Sequence, residues 1–198
     1  MTMSLLIRNL QRTVRFNQRK LRRDVDAIRN IMNIHTFDVS ISCVDNETIR
    51  KMNTQYRKMD KATDVLYFGL HDFTEPFDPS TMKLGSNKEK SLLESIPPGN
   101  ATADPFLQVV EVPDLGDVYF GMPYVYDYCT RKNISLEDEL VVLATHGFAH
   151  LLGYDHEASM EDFKIVYLFE FDILRKFDWA TGRNTLVVKE LTLDDGHC

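Results

Sequence analysis

The feature that most constrains this chain is a run of three histidines in its last third, His146-Gly-Phe-Ala-His150-Leu-Leu-Gly153-Tyr-Asp-His156. Histidines four residues apart lie on the same face of a helix, so the imidazoles of His146 and His150 can reach one ion. Gly153 suits the position just beyond a helix end, where the backbone turns left-handed, and it lets the chain turn back toward His156. The spacing therefore predicts a zinc ion held by three histidines, with a fourth position left open for water as in catalytic zinc sites.

The alternative interpretation of this run is three partly buried histidines on a polar turn. Half of the chain's six histidines fall within eleven residues, at the spacing of a helix followed by a turn, and this favours the metal site. The other histidines, His35, His71 and His197, are isolated from one another, and we expect them on surfaces or in loops.

Gly147 separates this run from the zinc peptidases that it otherwise resembles. The spacing is similar to the metzincin pattern His-Glu-x-x-His-x-x-Gly-x-x-His, in which the glutamate takes a proton from zinc-bound water. Glycine stands at that position here, so a peptidase mechanism would lack its proton acceptor. Asp155 and Glu157 flank His156, and we expect them to support the ligands or to face solvent rather than to bind the ion.

The charge distribution argues against a general nucleic-acid binder. The chain has a formal net charge of −7, whereas phosphate contacts need local positive charge. Two basic segments supply it: residues 1–35, with eight Lys or Arg against two acids, and residues 50–61, with five against one. Residues 1–23 hold seven Lys or Arg and no acid, a composition that is typical of mitochondrial presequences. The alternative is a first strand followed by a basic helix face, so any mitochondrial signal is expected to be one that is not cleaved.

Length and composition predict one globular domain over residues 1–198, with 43% hydrophobic and 27% charged residues. No apolar run approaches the roughly 20 residues that a membrane helix needs. Residues 69–113 hold six of the seven prolines, which predicts a loop-rich insertion in preference to a functional lid. The three cysteines, Cys43, Cys129 and Cys198, form no paired pattern, and we expect Cys43 in the core.

Hydrophobic periodicity predicts both strands and helices along the chain. Alternating apolar residues predict a strand over residues 37–43, and an apolar stripe from Leu21 to Met32 predicts a helix over residues 17–33. Asp45 and Ser135 are the expected caps of two further helices, with Ser135 and Asp138 forming a capping box. The remaining elements are strands at 4–10, 64–68 and 117–120, and helices at 45–56, 123–132, 135–152 and 158–177. The segment from 181 onward is left unassigned.

The full run His-Gly-x-x-His-Leu-x-Gly-Tyr-Asp-His resembles the signature of the YbeY family of endoribonucleases. Two further segments match in order. The block from Tyr56 to Phe68 is similar to the family's Arg-x-x-Asp-x-x-Thr-Asp-Val-Leu-Ser-Phe, and Leu115-Gly-Asp-Val is similar to its Leu-Gly-Asp-Ile. The opening from Met3 resembles eukaryotic members, so the resemblance runs from about residue 3 to about residue 178, interrupted by residues 69–113.

This resemblance implies an α+β fold, with a small mixed sheet of about four strands packed against helices. It implies one zinc ion on His146, His150 and His156, and cleavage of single-stranded ribosomal RNA during its maturation. It also implies that Arg57 is the functional arginine of the metal cleft, since a guanidinium can hold a phosphodiester through two hydrogen bonds. The implied partners are ribosomal RNA and the small ribosomal subunit, with no membrane or DNA. The expected location is the mitochondrion, otherwise the cytoplasm or nucleus.

Several alternatives stay open at this point. Tyr67 replaces the family's serine and Gly69-Leu70 its usual Pro-Phe, and both changes lie beside the expected substrate groove. With glycine at 147, the proton acceptor could be the substrate phosphate, a 2′-hydroxyl pathway or Asp155. The alternative functions are a ribosome-associated assembly factor with a mainly structural zinc and, less favoured, a metzincin-like peptidase.

Overall fold

The computed structural model of the chain describes residues 5–71, 73, 76–79, 114–155 and 159–193. Most of the predicted insertion lies outside these residues, and so does His156. The described residues form four strands: β1 (Leu5–Asn9), β2 (Asp38–Val44), β3 (Val65–Gly69) and β4 (Asp114–Gly121). The helices are α1 (Gln18–Ile31), α2 (Asn46–Arg57), α3 (Met122–Lys132), α4 (Leu136–Leu151), α5 (Met160–Thr181) and α6 (Thr185–Leu193).

The strands form one mixed sheet in the order β1-β2-β4-β3. β1 and β4 run parallel to β2 on either side of it, while β3 pairs antiparallel with β4 at the edge. Val39, Ile41 and Cys43 of β2 are fully buried, as the alternating pattern predicted, and Cys43 is a free thiol in the core. The predicted α+β fold with a small mixed sheet is confirmed.

Short polar side chains begin the helices where the sequence predicted caps. The carboxylate of Asp45 accepts a hydrogen bond from the Thr48 amide at 2.8 Å, and Ser135 Oγ accepts one from the Asp138 amide at 3.3 Å. Each satisfies an amide that has no partner within its own helix. At the other end of α4, Gly153 has a φ of 85°, the left-handed conformation that glycine adopts most readily.

α4 is the central helix of the fold. Periodicity predicted one buried face, on Leu136, Leu140, Leu143 and Gly147, but every residue from 139 to 149 is buried. The cause is tertiary, because α4 contacts β3 and β4 on one side and α1, α3, α5 and α6 elsewhere. The two histidines that α4 carries are therefore held by an element that is packed on all sides. No helix in the described ranges has the length and apolar composition needed to span a lipid bilayer.

One residue of α2 that was predicted to face inward is exposed instead. Periodicity placed Ile49, Met52 and Tyr56 on the inner face, and Ile49 is indeed buried, but Tyr56 is 58% exposed. Asn53 is buried in its vicinity instead, and its Nδ2 donates to the carbonyl of Lys61 at 2.9 Å. A polar side chain takes the inner position because it holds the chain that returns from α2 toward β3.

α6 lies in the segment that the sequence left unassigned. Its start is fixed by Asp178 near the end of α5, whose carboxylate accepts hydrogen bonds from the amide and hydroxyl of Thr185 at 2.9 and 2.7 Å. The amide of Leu186 donates to the same carboxylate at 3.1 Å. Between the two helices the backbone turns at Gly182, which has a φ of 69°. These hydrogen bonds attach the start of α6 to the end of α5.

Candidate functional site

His146 and His150 converge on one point, as their spacing predicted. Both lie on α4, and their Nε2 atoms are 3.1 Å apart. His146 is buried and His150 is half-buried. Two nitrogens bonded to one tetrahedral zinc at about 2.0–2.1 Å would lie about 3.3 Å apart, so the pair fits a shared ion.

Glu170 orients the first of these histidines. This residue of α5 is 2% exposed, and its Oε1 lies 2.7 Å from His146 Nδ1. A carboxylate accepts a hydrogen bond from the protonated ring nitrogen, here Nδ1, and this leaves the lone pair on Nε2, the atom that faces His150. Sequence reasoning missed Glu170, although a single acid within the apolar and aromatic run of residues 165–171 was a signal that could have found it.

Glu170 has a second partner, because its Oε2 forms an ion pair with Nζ of Lys189 on α6. Burial by itself would raise the pKa of this carboxyl group, but its interactions with His146 and Lys189 outweigh burial and lower the pKa well below its ordinary value. Glu170 is therefore an ionised carboxylate with both oxygens in use. No pattern in the sequence indicated Lys189, which lies in the unassigned segment after residue 181.

A tyrosine, Tyr67, lies between Arg57 and the histidine pair. Arg57 is the last residue of α2, and the chain turns directly after it at Lys58, which has a left-handed φ of 62°. The guanidinium carbon of Arg57 lies 5.2 Å from the centroid of the Tyr67 ring. That ring stacks on the imidazole of His150 at 4.0 Å. The predicted arginine and the predicted ligand thus share a neighbour that sequence reasoning had noted only as a departure from the family pattern.

The third predicted ligand, His156, lies outside the described residues, as does Glu157, so the three-histidine set stays a prediction. Across the residues that the structure does describe, no three His, Cys, Asp or Glu side chains are grouped so as to hold a metal ion. Asp155, one of the predicted alternatives for proton transfer, is exposed just after α4.

Gly147 packs against the sheet. A Cβ atom added there would lie 3.1 Å from Cγ1 and 3.2 Å from Cγ2 of Val118 on β4. A glutamate in the peptidase position would therefore start from a crowded contact with the sheet. The glycine that distinguishes this run from the metzincin pattern thus also allows α4 to approach β4 closely.

Comparison with known proteins shows similarity over most of the chain. A family profile described as endoribonuclease YbeY matches residues 6–178. The chain belongs to the YbeY endoribonuclease family. A human protein named endoribonuclease YbeY is 33% identical over 159 residues, which are 80% of this chain and 80% of that protein. A protein of the same name from Geobacillus thermodenitrificans is 32% identical over 158 residues, 80% of this chain and 83% of its own length.

The solution structure of a Thermotoga maritima protein matches with a TM-score of 0.49 at 20% identity, covering 91% of this chain and 96% of that one. The predicted membership of the YbeY family is confirmed by the sequence matches. Arg57, Tyr67, both described histidines and Glu170 lie within the residues that match the YbeY profile. Lys189 and the whole of α6 follow the end of that match.

Proposed function

We propose that this chain is a metal-dependent endoribonuclease that cleaves single-stranded ribosomal RNA during its maturation. It would carry one zinc ion on His146, His150 and His156. The observation that carries this proposal is the convergence of the His146 and His150 Nε2 atoms, with Arg57 close by, in a chain whose relatives are named endoribonucleases.

The histidines would present neutral Nε2 atoms to the ion. Glu170 accepts from Nδ1 of His146 and so selects the tautomer that can bind metal through Nε2. The ring of Tyr67 covers one face of the His150 imidazole and limits its rotation. When bound, zinc supplies Lewis-acid chemistry to the phosphodiester and to the attacking group.

Arg57 would bind the phosphate whose ester bond is cleaved. It is exposed, and its guanidinium can donate two hydrogen bonds to a phosphate and stabilise negative charge that develops there. Two of the other four basic side chains of residues 50–61 are paired with acids, since Arg50 forms a two-pronged ion pair with Asp60 and Lys51 pairs with Glu47. Arg57 lies against Tyr67, the ring that stacks on His150, so its charge is close to the histidines.

The group that accepts the proton in the cleavage reaction cannot be the side chain of residue 147. Gly147 has no side chain, so the peptidase route through a glutamate is closed. The remaining acceptors are a substrate phosphate oxygen, a pathway through the 2′-hydroxyl, and the exposed carboxylate of Asp155. A substrate in which the 2′-hydroxyl at the cleaved bond is replaced by hydrogen separates the second from the others.

The direct test compares the wild type with a His150→Ala variant. Purified protein is analysed for bound metal, and cleavage of single-stranded and duplex ribosomal RNA fragments is followed with and without chelator. We expect the wild type to hold about one zinc and to cut only the single strand, and the variant to lose both properties. Full cleavage by the variant would overturn the metal-centred mechanism.

The same assays, together with sedimentation in the presence of small ribosomal subunits, separate the assembly-factor alternative. A chain that holds zinc, sediments with small ribosomal subunits and leaves RNA intact even at enzyme excess would have a structural zinc.

The proposed location in mitochondria is tested apart from the chemistry, by fractionating cells that produce the tagged full chain. Recovery of the chain outside mitochondria would contradict that part of the proposal alone.

A further inference from the structure

Lys189 is a buried cation on a helix that follows the end of the YbeY match at residue 178. Its Nζ forms an ion pair with Oε2 of Glu170. The other oxygen of the same carboxylate, Oε1, lies 2.7 Å from Nδ1 of His146. Two polar contacts therefore connect the C-terminal helix α6 to an imidazole of the proposed zinc site.

The environment of Glu170 explains why a cation is needed there. A carboxylate that is 2% exposed is costly to bury unless it is paired and hydrogen-bonded. His146 occupies one oxygen, and Lys189 supplies a charge and a donor to the other. With both oxygens held, the carboxylate keeps Oε1 aimed at the imidazole.

Lys189 is itself held in place by the way α6 is attached to α5. The Asp178 carboxylate accepts three hydrogen bonds from the first residues of α6, and Val188, next to Lys189, is buried. The Nζ atom also lies 5.6 Å from the centroid of the Tyr167 ring on α5, where a cation interacts favourably with the aromatic face. The contact with Glu170 is thus part of a packed helix pair.

We propose that Lys189 is a positioning residue for His146, acting through Glu170. By holding Oε2, it keeps the carboxylate in the orientation that fixes the His146 proton on Nδ1 and presents Nε2 to the ion. This inference rests on the proposed zinc site and assigns α6 a part in it. Partners that orient metal-binding histidines commonly contribute 10- to 100-fold to metal affinity, and we expect roughly that from Lys189.

The first test reads the tautomer of His146 in metal-free protein, by long-range ¹H–¹⁵N correlation NMR of the full chain. The wild type should carry the proton on Nδ1, whereas Lys189→Met should show a mixture of the two tautomers. Zinc affinity, measured by competition with a chromophoric chelator, should fall roughly 10- to 100-fold in this variant. An unchanged tautomer in a folded Lys189→Met variant would overturn the proposal.

A second comparison separates positioning from a general packing role. In a Glu170→Gln background, Lys189→Met should cause little further loss of zinc affinity, because its effect passes through the carboxylate. Val188→Ala serves as the matched control, since it removes buried packing beside Lys189 but leaves the ion pair with Glu170, and it should lower the melting temperature without changing the tautomer. Equal zinc losses from Lys189→Met in both backgrounds would contradict a role through Glu170.

A third variant covers the case in which Lys189→Met does not fold. Lys189→Arg keeps a cation against Oε2 and is expected to retain the wild-type tautomer, so a folded arginine variant with mixed tautomers would count against the proposal. The tautomer is read without metal or RNA. A wild type that fails to bind zinc or to cut RNA would therefore reject the proposed function while the role of Lys189 is still decided.

Discussion

The ring of Tyr67 stacks on the imidazole of His150, with centroids 4.0 Å apart and planes 5° from parallel. The guanidinium carbon of Arg57 lies 5.2 Å from the centroid of the same tyrosine ring. One side chain of β3 therefore contacts both a proposed zinc ligand and the proposed phosphate-binding arginine. A serine, the residue that the sequence resemblance led us to expect at position 67, has no ring with which to make either contact.

Replacing Tyr67 tests whether that connection matters. Tyr67→Phe keeps both ring contacts and should cleave single-stranded RNA at nearly the wild-type rate, whereas Tyr67→Ala should lower kcat/KM by about 3- to 10-fold. The estimate follows from stacked and cation–π contacts that contribute about 0.5–1.5 kcal/mol each. The measurement is a cleavage time course at saturating zinc. Equal rates for the two variants would show that the ring does not position its neighbours.

Arg57→Ala should reduce cleavage without changing metal binding. Losing one preorganised group that stabilises developing charge typically costs about 100-fold or more in rate, and Arg57 is exposed, so the fold should be unaffected. Arg57→Lys should recover only part of the rate, because an ammonium cannot make the paired hydrogen bonds of a guanidinium. The neighbouring exposed Lys58→Ala is the matched control. A similar loss in both alanine variants would indicate a general charge effect instead.

The sequence was informative where a pattern is local. His146 and His150, the capping residues Asp45 and Ser135, and the turn at Gly153 each depend on residues a few positions apart, and all are found as predicted. Such features follow from helix geometry and backbone hydrogen bonding, which any short stretch of sequence expresses. The strands of the sheet were predictable for the same reason.

What could not be predicted depends on tertiary packing. Glu170 pairs with a histidine 24 residues away and with a lysine 19 residues away, and neither distance carries a periodic signal. α6 is short, and much of what fixes its start is the carboxylate of Asp178 on the preceding helix. Tyr56 was placed inside by its spacing alone, while the need to bond the Lys61 carbonyl put Asn53 there.

Gly147 and Val118 should be energetically coupled. A methyl group at 147 improves helix propensity by about 1 kcal/mol but meets Val118 at 3.1 Å, so the net effect of Gly147→Ala depends on how far β4 yields. In a Val118→Ala background that contact is removed, and the same change should be more favourable by about 1 kcal/mol or more. Urea unfolding of the wild type, the two single variants and the double variant measures the coupling free energy. Additive effects would show that α4 and β4 are not in tight contact here.

Asp178→Ala should release the start of α6 and weaken zinc binding at a distance. The carboxylate accepts three hydrogen bonds from Thr185 and Leu186, and its loss should cost about 1–2 kcal/mol of stability, as for other helix caps. If Lys189 positions Glu170, the freed helix should also lower zinc affinity. Hydrogen exchange of the α6 amides and chelator competition report the two effects. Faster exchange with unchanged zinc affinity would separate the helix from the site.

Glu139, buried in the first part of α4, should make stability depend on pH. Its Oε2 has no hydrogen-bond partner among the described residues. Burial, reinforced by the charge of Asp64 and opposed by that of Lys189, raises its pKa from 4.5 to about 8. Below pH 4.5 the carboxyl group is protonated in both the folded and the unfolded chain, so it does not change the free energy of unfolding with pH. Between those values only the unfolded chain releases its proton, so the free energy of unfolding falls as pH rises.

Glu139→Gln removes this titration and should flatten the dependence, leaving the variant more stable than the wild type by a few kcal/mol near pH 8 and nearly equal to it near pH 4.5. The lowered pKa of Glu170 acts only below its ordinary value of 4.5, with the opposite sign, and so falls in a different pH range. Urea unfolding of both chains from pH 4.5 to 8, in the presence of chelator, measures the difference. Parallel curves would mean that Glu139 is ionised in the folded chain, with a partner that offsets its burial.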